Sequence, residues 1–284
     1  MSDFDPPCEV VRDVVARALA EDFGVMGDIT SIAAIPADSF ASGVFVARDE
    51  GVLAGSACVT ETFAQVDPTV VVRWNATDGD PVAAQQILAT VEGPTRSLLG
   101  GERVALNLAG HLSGVATLTR RYVRATHGNA RILDTRKTTP GLRALEKAAV
   151  RAGGGFNHRD SLSDAVLLKD NHLAVSGIAR AVERARARWP GRMVEVECDD
   201  IDQVVEAATS RVDRIMLDNM TPDEVRRAVE AISDAIGSKI PVEVSGRVAL
   251  ETVGQYAAAG ADFISVGALT HSAPVFDIGL DFER

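Results

Sequence analysis

The octapeptide GGGFNHRD, residues 153–160, is followed closely by LLKDNH, residues 167–172. Three glycines loosen the backbone, and His158, Arg159 and Lys169 bring cationic donors beside an apolar run. Between Arg131 and His172 eight Lys/Arg stand against five Asp/Glu, in a chain whose formal net charge is −11. A local reversal of sign suits a small anionic ligand, because arginine offers a planar two-point fork to a carboxylate or phosphate and lysine a compact charge. Arg136, Lys137, Arg159 and Lys169 adjoin strand-like runs, where such a site is built. Arg143, Lys147 and Arg151, spaced by four in GLRALEKAAVRAGG, read instead as the solvated face of a helix.

The elements that must position these residues repeat one grammar. RILD, DAVLLKD, RMVEVEC, DRIMLDN, IPVEVSG and DFISVG are short apolar runs, and amphipathic helical stretches separate them. Thr221, Pro222 and Glu224 mark one helix start: a Thr cap, Pro at the first position and Glu at the third. Strands alternating with helices indicate βαβ units and a parallel sheet. Six strands fall short of the eight-unit barrel of ~250 residues, so an incomplete barrel of six to seven strands is expected, with an open doubly wound sheet as competitor. Both architectures bind ligands at the carboxyl ends of the strands. Those ends are Asp134 to Lys137, Lys169 to His172, Glu197, Asp218-Asn219, Ser245-Gly246 and Gly267: cationic, then acidic, then small. Any one of them reads equally well as a solvated loop residue or helix cap, and it is the set that points to a shared site.

The N-terminal third has a different texture. CEVVRDVVARALAEDF reads as a helix, GVFVAR and TVVVRW as strands, and DGDPVAAQQILATVEG as turn and strand, which together make an α+β sandwich-like domain. RSLLGGERVALNLAGHLSGVATLTRRYVRATHG is a helix-rich connector that carries Arg103 and His111 on one face. The expected division is residues 1–112 for this domain and 113–272 for the barrel, with the tail 273–284 returning to the first. Composition, with 46% hydrophobic and 24% charged residues, is that of a soluble globular chain, and no apolar stretch nears the ~20 residues of a membrane span. MSDFDPPCEVVRDVV lacks the basic-then-apolar order of a signal peptide, so a cytoplasmic location is expected. The acidic balance disfavours nucleic acid and anionic membranes as partners. Cys8, Cys58 and Cys198 have no metal-type spacing and read as buried small hydrophobes.

LDTRKTTPGLRALEKAAVRAGGGFNHRDSLSDAVLLKDNH, followed by VEVEC, IMLDN, VEVSG and VGALTHS, resembles quinolinate phosphoribosyltransferase. The likeness extends over nearly the whole chain, through EDFGVMGDITS, GPTRSLLGGERVALNLAGHLSGVAT and the closing FDIGLDF. It implies an α/β sandwich domain with an incomplete barrel. It also implies transfer of phosphoribosyl from 5-phosphoribosyl pyrophosphate to quinolinate, with Mg²⁺, giving nicotinate mononucleotide, pyrophosphate and CO₂ for NAD biosynthesis. By this resemblance Arg136, His158, Arg159 and Lys169 hold the quinolinate carboxylates, and Lys137 lies between the substrates. Glu197 and Asp218 serve the ribose hydroxyls and Mg²⁺, while Ser245, Gly246, Gly267 and His271 receive the 5′-phosphate. Lys137, Lys169, Glu197 and Asp218 are the catalytic set, one of the two lysines assisting decarboxylation. Arg103 is contributed to the neighbouring subunit's site, which implies a homodimer. Two positions depart from the resemblance: Arg247 and Gln85 stand where relatives commonly have glycine.

Three other readings compete. A homologue that takes a monocarboxylate such as nicotinate would leave the cation cluster facing itself unneutralised. A type I phosphoribosyltransferase would need paired acidic residues that ILDTRKTTPG lacks. A biotinyl-carrier-like module would need a lysine in DGDPVAAQQILATVEG, which has none.

Overall fold

The structure, a computed structural model, describes residues 6–282; the MSDFD start used above in judging export lies outside them. In chain order the strands are β1 (Phe40–Ala47), β2 (Gly51–Val52), β3 (Val71–Trp74), β4 (Pro81–Val82) and β5 (Ile87–Pro94). After a helix over Thr95–Ala125 come β6 (Arg131–Leu133), β7 (Val166–Leu168), β8 (Val194–Cys198), β9 (Arg214–Asp218), β10 (Val242–Ser245), β11 (Phe263–Ser265) and β12 (Ile278–Phe282). The chain forms two compact units. The first runs to Arg120 and also takes Thr138–Gly154 and the chain from Ala268 onward; the second is Arg121–Lys137 with Gly155–Gly267.

The first unit is built on a four-stranded antiparallel sheet in the order β12-β1-β5-β3, beside the short pair β2-β4. Its core gathers Phe45, Phe63, Leu88, Val91, Leu98 and Phe276. Phe45 meets Phe63 edge to face, with ring centroids 6.1 Å apart, and stacks on Trp74. The closing FDIGLDF supplies β12, which pairs with β1 from Ala47↔Ile278 to Gly43↔Phe282. Gln85 has φ 65°, the left-handed backbone that glycine adopts without strain, so its side chain occupies a turn better suited to glycine.

Thr138–Gly154 belongs to this unit and not to the barrel segment 113–272, because the helix Arg143–Ala152 buries nearly all of its faces. The solvated stripe expected on it is absent: Lys147 is 2% exposed, and Arg143 Nε donates to Thr138 Oγ1 at 3.0 Å. Glu146, fully buried, accepts from His111 Nε2 at 2.8 Å and from the Thr139 backbone N–H at 3.0 Å. Spacing by four shows which residues share a face but not which face meets water, and here the cationic stripe lies inside. The cysteines divide as well. Cys8 is exposed, against expectation, while burial pushes the Cys58 and Cys198 thiols up to about 12 and leaves them unreactive.

The second unit is a six-stranded, all-parallel sheet in the order β6-β11-β10-β9-β8-β7. A lone parallel bridge, Leu133↔Phe156, adds a rudimentary seventh strand at the free edge of β6. His158, two residues beyond that bridge, reaches Glu195 on β8 with 2.9 Å between Nε2 and Oε2. In a flat sheet those strands would stand roughly 24 Å apart at ~4.8 Å per neighbour, so the sheet curls into a barrel that stays unclosed beside β7. The outward residues Val194, Val196, Ile215, Leu217, Val242 and Val244 are buried. The expected helix start is also found: Thr221 caps Pro222–Ile236 with a reciprocal Glu224 bond.

In the first unit Gly114, on the helix Thr95–Ala125, faces the return segment so closely that an added Cβ would lie 2.1 Å from the Pro274 carbonyl oxygen. Gly114→Ala is expected to destabilise by about 1–3 kcal/mol through overpacking. Denaturant unfolding checks this, and an unchanged midpoint would show that the return segment adapts freely.

Candidate active site

Period-two alternation sends every second residue of the parallel strands into the barrel. Leu167 and Lys169 from β7, Glu197 from β8, Met216 and Asp218 from β9, Glu243 and Ser245 from β10, and Ser265 from β11 line one cavity of about 460 Å³. Thr135, Arg136 and Lys137, just past β6, and His158 and Arg159, past the Phe156 bridge, complete it. The site therefore lies at the carboxyl ends of the strands, and it joins eight of the sequence-predicted residues in its wall: Arg136, Lys137, His158, Arg159, Lys169, Glu197, Asp218 and Ser245, the last followed in the chain by Gly246.

The cationic side is dense. Arg159 is drawn below the ordinary arginine range by burial first and by Arg136 next, against the opposing pull of Glu195, Asp164 and Glu197. The Lys169 Nζ donates to Glu197 Oε2, an ion pair inside the cavity. Asp218 accepts from the Asn219 side chain at 2.6 Å. Gly246, at φ 125°, passes Asn219 so closely that a Cβ would stand 2.6 Å from Asn219 Oδ1, a turn open to glycine alone. The exposed Arg247 comes next, leaving Ser245 in the cavity wall.

Other expected residues fall elsewhere. Arg103 and His271 belong to the first unit. Arg103 is 70% exposed and pairs with Glu102 at 3.2 Å. His271 ends a helix of four residues, Ala268–His271, with its Nδ1 2.7 Å from Ser272 Oγ. Gly267 is the last residue of the second unit and is not among the cavity residues. Gly153 and Gly154 have a structural purpose. Gly153 ends the helix Arg143–Ala152 where a Cβ would meet the Ala116 carbonyl oxygen at 2.5 Å, and Gly154 turns the chain at φ 87°.

The floor of the cavity is a layer that the sequence reading missed. Glu195 and Glu243 are completely buried. Arg214 Nη1 donates to Glu243 Oε2 at 2.7 Å, its Nε is 3.9 Å from Glu195 Oε1, and its guanidinium covers the Phe263 ring at 4.1 Å. Ser265 Oγ donates to Glu243 Oε1. Burial raises both carboxyls, Glu243 to about 7 with Glu195 adding to the rise. His158, Glu195 and Glu243 place donor atoms within 4.8 Å of one another, close enough for a metal ion, but Arg214 already supplies a cation to both carboxylates. The signal was present in VEVEC and VEVSG: glutamate inside an apolar parallel strand faces inward by alternation and needs a partner.

Comparison with known proteins decides the family. Residues 28–113 match the quinolinate phosphoribosyl transferase N-terminal domain, and residues 115–281 match its C-terminal domain. The chain belongs to the quinolinate phosphoribosyltransferase family. It is 43% identical over 95% of its length to the probable nicotinate-nucleotide pyrophosphorylase [carboxylating] of Bacillus subtilis, covering 93% of that protein. To the nicotinate-nucleotide pyrophosphorylase [carboxylating] of Mycobacterium leprae it is 42% identical over 96% of this chain and 97% of that one. The solved structure of the nicotinate-nucleotide pyrophosphorylase from Francisella tularensis superposes with a TM-score of 0.91 at 35% identity, over 98% of both chains. Membership accords with an N-terminal antiparallel sheet and a separate six-stranded parallel one.

Removing Arg214 leaves two buried carboxyls without their guanidinium. Arg214→Met is therefore expected to lower stability by about 3–5 kcal/mol. Arg226→Met, which breaks the exposed pair with Asp223, should change it by less than about 0.5 kcal/mol. Urea unfolding of both variants provides the comparison, and equal losses would mean that the buried layer carries no net charge.

Proposed function

We propose that the chain transfers phosphoribosyl from 5-phosphoribosyl pyrophosphate to quinolinate and releases CO₂, forming nicotinate mononucleotide and pyrophosphate in NAD biosynthesis. One observation carries this reading: a single barrel cavity sets Arg136, Lys137, His158, Arg159 and Lys169 against Glu197 and Asp218. A dicarboxylate matches the cations, since each negative group relieves repulsion that a monocarboxylate would leave in place. Arg136, His158, Arg159 and Lys169 bind the two carboxylates, with arginine making the planar contacts. The pyridine nitrogen is already a nucleophile, so its attack on C1 of the ribose needs no general base.

As pyrophosphate leaves, C1 gains oxocarbenium-like positive charge, and Glu197 and Asp218 stabilise it as preorganised anions. These two carboxylates, at the ends of adjacent strands, also fit Mg²⁺, which takes only one or two protein carboxylates and otherwise water and phosphate oxygens. When bound, Mg²⁺ neutralises charge on the leaving pyrophosphate. Ser245, in the cavity wall, and the adjoining Gly246 receive the 5′-phosphate. Loss of CO₂ from the carbon beside the quaternary nitrogen leaves a carbanion there. The ring N⁺ and a lysine, Lys137 or Lys169, stabilise that carbanion until it takes a proton. The working form is a cytoplasmic homodimer in which the exposed Arg103 reaches the neighbouring site. Light scattering that found a monomer at assay concentrations would remove this part.

Purified protein should release CO₂ from quinolinate only with 5-phosphoribosyl pyrophosphate and Mg²⁺ both present; release without the ribosyl donor would defeat the assignment. Arg159→Lys keeps the charge but loses the fork, so the quinolinate dissociation constant should rise about tenfold, the scale of one charge-assisted hydrogen bond, while 5-phosphoribosyl pyrophosphate binding is retained. Glu197→Gln and Asp218→Asn should lower turnover without weakening quinolinate binding. Calorimetry with each ligand separates the two groups, and an inverted pattern would reverse the assignment.

A further inference from the structure

Direct contact with a small ligand does not account for the layer at the floor of the cavity, where Glu195 is fully buried. Strand register sets Glu195 opposite Arg214, and Glu243 opposite both Met216 and Phe263; Glu195 lies one inward position below Glu197 on its strand, and Glu243 one below Ser245 on its own. At its upper end stands His158, whose side chain is 7% exposed, with Nε2 2.9 Å from Glu195 Oε2 and 3.5 Å from Glu243 Oε2. The backbone of the same residue is held separately: Asp134, itself buried, accepts the His158 N–H at 2.9 Å and the Asn157 side-chain amide at 2.5 Å. One carboxylate thus fixes the chain and another fixes the ring.

We propose that Glu195, backed by Glu243, Arg214 and Ser265, is a positioning residue that orients the His158 ring toward quinolinate. The proposal rests on the reading of His158 as a quinolinate ligand.

Two carboxylates facing Nε2 make it the protonated nitrogen, and the hydrogen bond to Glu195 sets the plane of the ring. A flipped ring would leave a buried carboxylate without its donor, a penalty that keeps the ring in place. The charged groups packed around it come from every neighbouring element: Asp134 beyond β6, Arg159 next to it in the chain, Lys169 after β7, Glu195 on β8, Arg214 on β9 and Glu243 on β10. Arg214 lies 2.7 Å from Glu243 and farther, 3.9 Å, from Glu195, whose Oε2 takes the imidazole. The ring so held stands in the cavity wall with Arg159 and Lys169, where a carboxylate of quinolinate would lie.

The test uses full-length enzyme and the variants Glu195→Gln, His158→Gln and their combination. If Glu195 acts through His158, each single change should raise the quinolinate KM about tenfold. The 5-phosphoribosyl pyrophosphate KM and kcat should stay within about twofold, and the double variant should lose no more than either single one. Multiplicative losses, or equal increases in both KM values, would overturn the proposal by showing that Glu195 only maintains the fold. Glu243→Gln, which keeps its shape beside Ser265 and Arg214, replaces Glu195→Gln in the same cycle should the latter not fold. Nitrogen-15 spectra of ligand-free enzyme give an independent readout: a hydrogen-bonded Nε2–H that vanishes in His158→Gln and shifts in Glu195→Gln. No such proton in the wild type would overturn the positioning whatever quinolinate does. A normal Nε2–H together with an unchanged quinolinate KM in His158→Gln would instead defeat the ligand reading, and the proposal with it.

Discussion

Glu195, Arg214 and Glu243 sit where a parallel barrel ordinarily packs branched aliphatic side chains. Taking each ion out of water costs several kcal/mol, so the layer is tolerable only when its charges and lone pairs answer one another. Arg214 lies against both carboxyls, Ser265 closes on Glu243, and Phe263 covers the guanidinium. Glu195 Oε1 has only the more distant Arg214, while its Oε2 reaches upward to His158. Through that bond the interior fixes the segment that begins at the Phe156 bridge, and Arg159 is carried with it. The cationic wall of the cavity is thus anchored from below by buried acid. An apolar interior would hold the same strands with less desolvation but would leave nothing for an imidazole to bind.

The strand sequences satisfy this demand and a second one. In VEVEC the valines and Cys198 face out and are buried, while Glu195 and Glu197 face in at successive depths. VEVSG repeats the arrangement with Glu243 and Ser245, and RIMLD with Arg214, Met216 and Asp218. Each strand therefore carries one residue for the interior layer and one for the site. A register slip of a single residue would turn the apolar set into the barrel and the charges toward the helices. The partner that opposes such a slip is not local, because every interior charge is answered from another strand.

That distinction explains what the sequence disclosed. The six parallel strands, the capped helix at Thr221 and the strand-end order of cations, carboxylates and small residues follow from period, caps and spacing, all of which are short-range properties. The burial of Lys147 does not, since a stripe spaced by four looks the same whether it faces water or a neighbouring segment. Nor does the reach of His158 to Glu195, which exists only because a curled sheet brings together strands that lie far apart in its order. The glycines of GGGFNHRD show the same division. Their freedom was legible, but that Gly153 uses it to pack against the Ala116 carbonyl required the fold.

The cavity also holds a balance that ligand binding must change. In the cavity Lys169 is engaged by Glu197, and burial together with the nearby Arg136 draws Arg159 below the ordinary arginine range. On the proposed reading, a carboxylate of quinolinate relieves the arginine repulsion and competes with Glu197 for Lys169. Glu197 released in this way becomes a free anion on the ribose side, where positive charge develops later. Such an exchange demands that lysine and glutamate end neighbouring strands at the same depth, as Lys169 and Glu197 do after β7 and on β8.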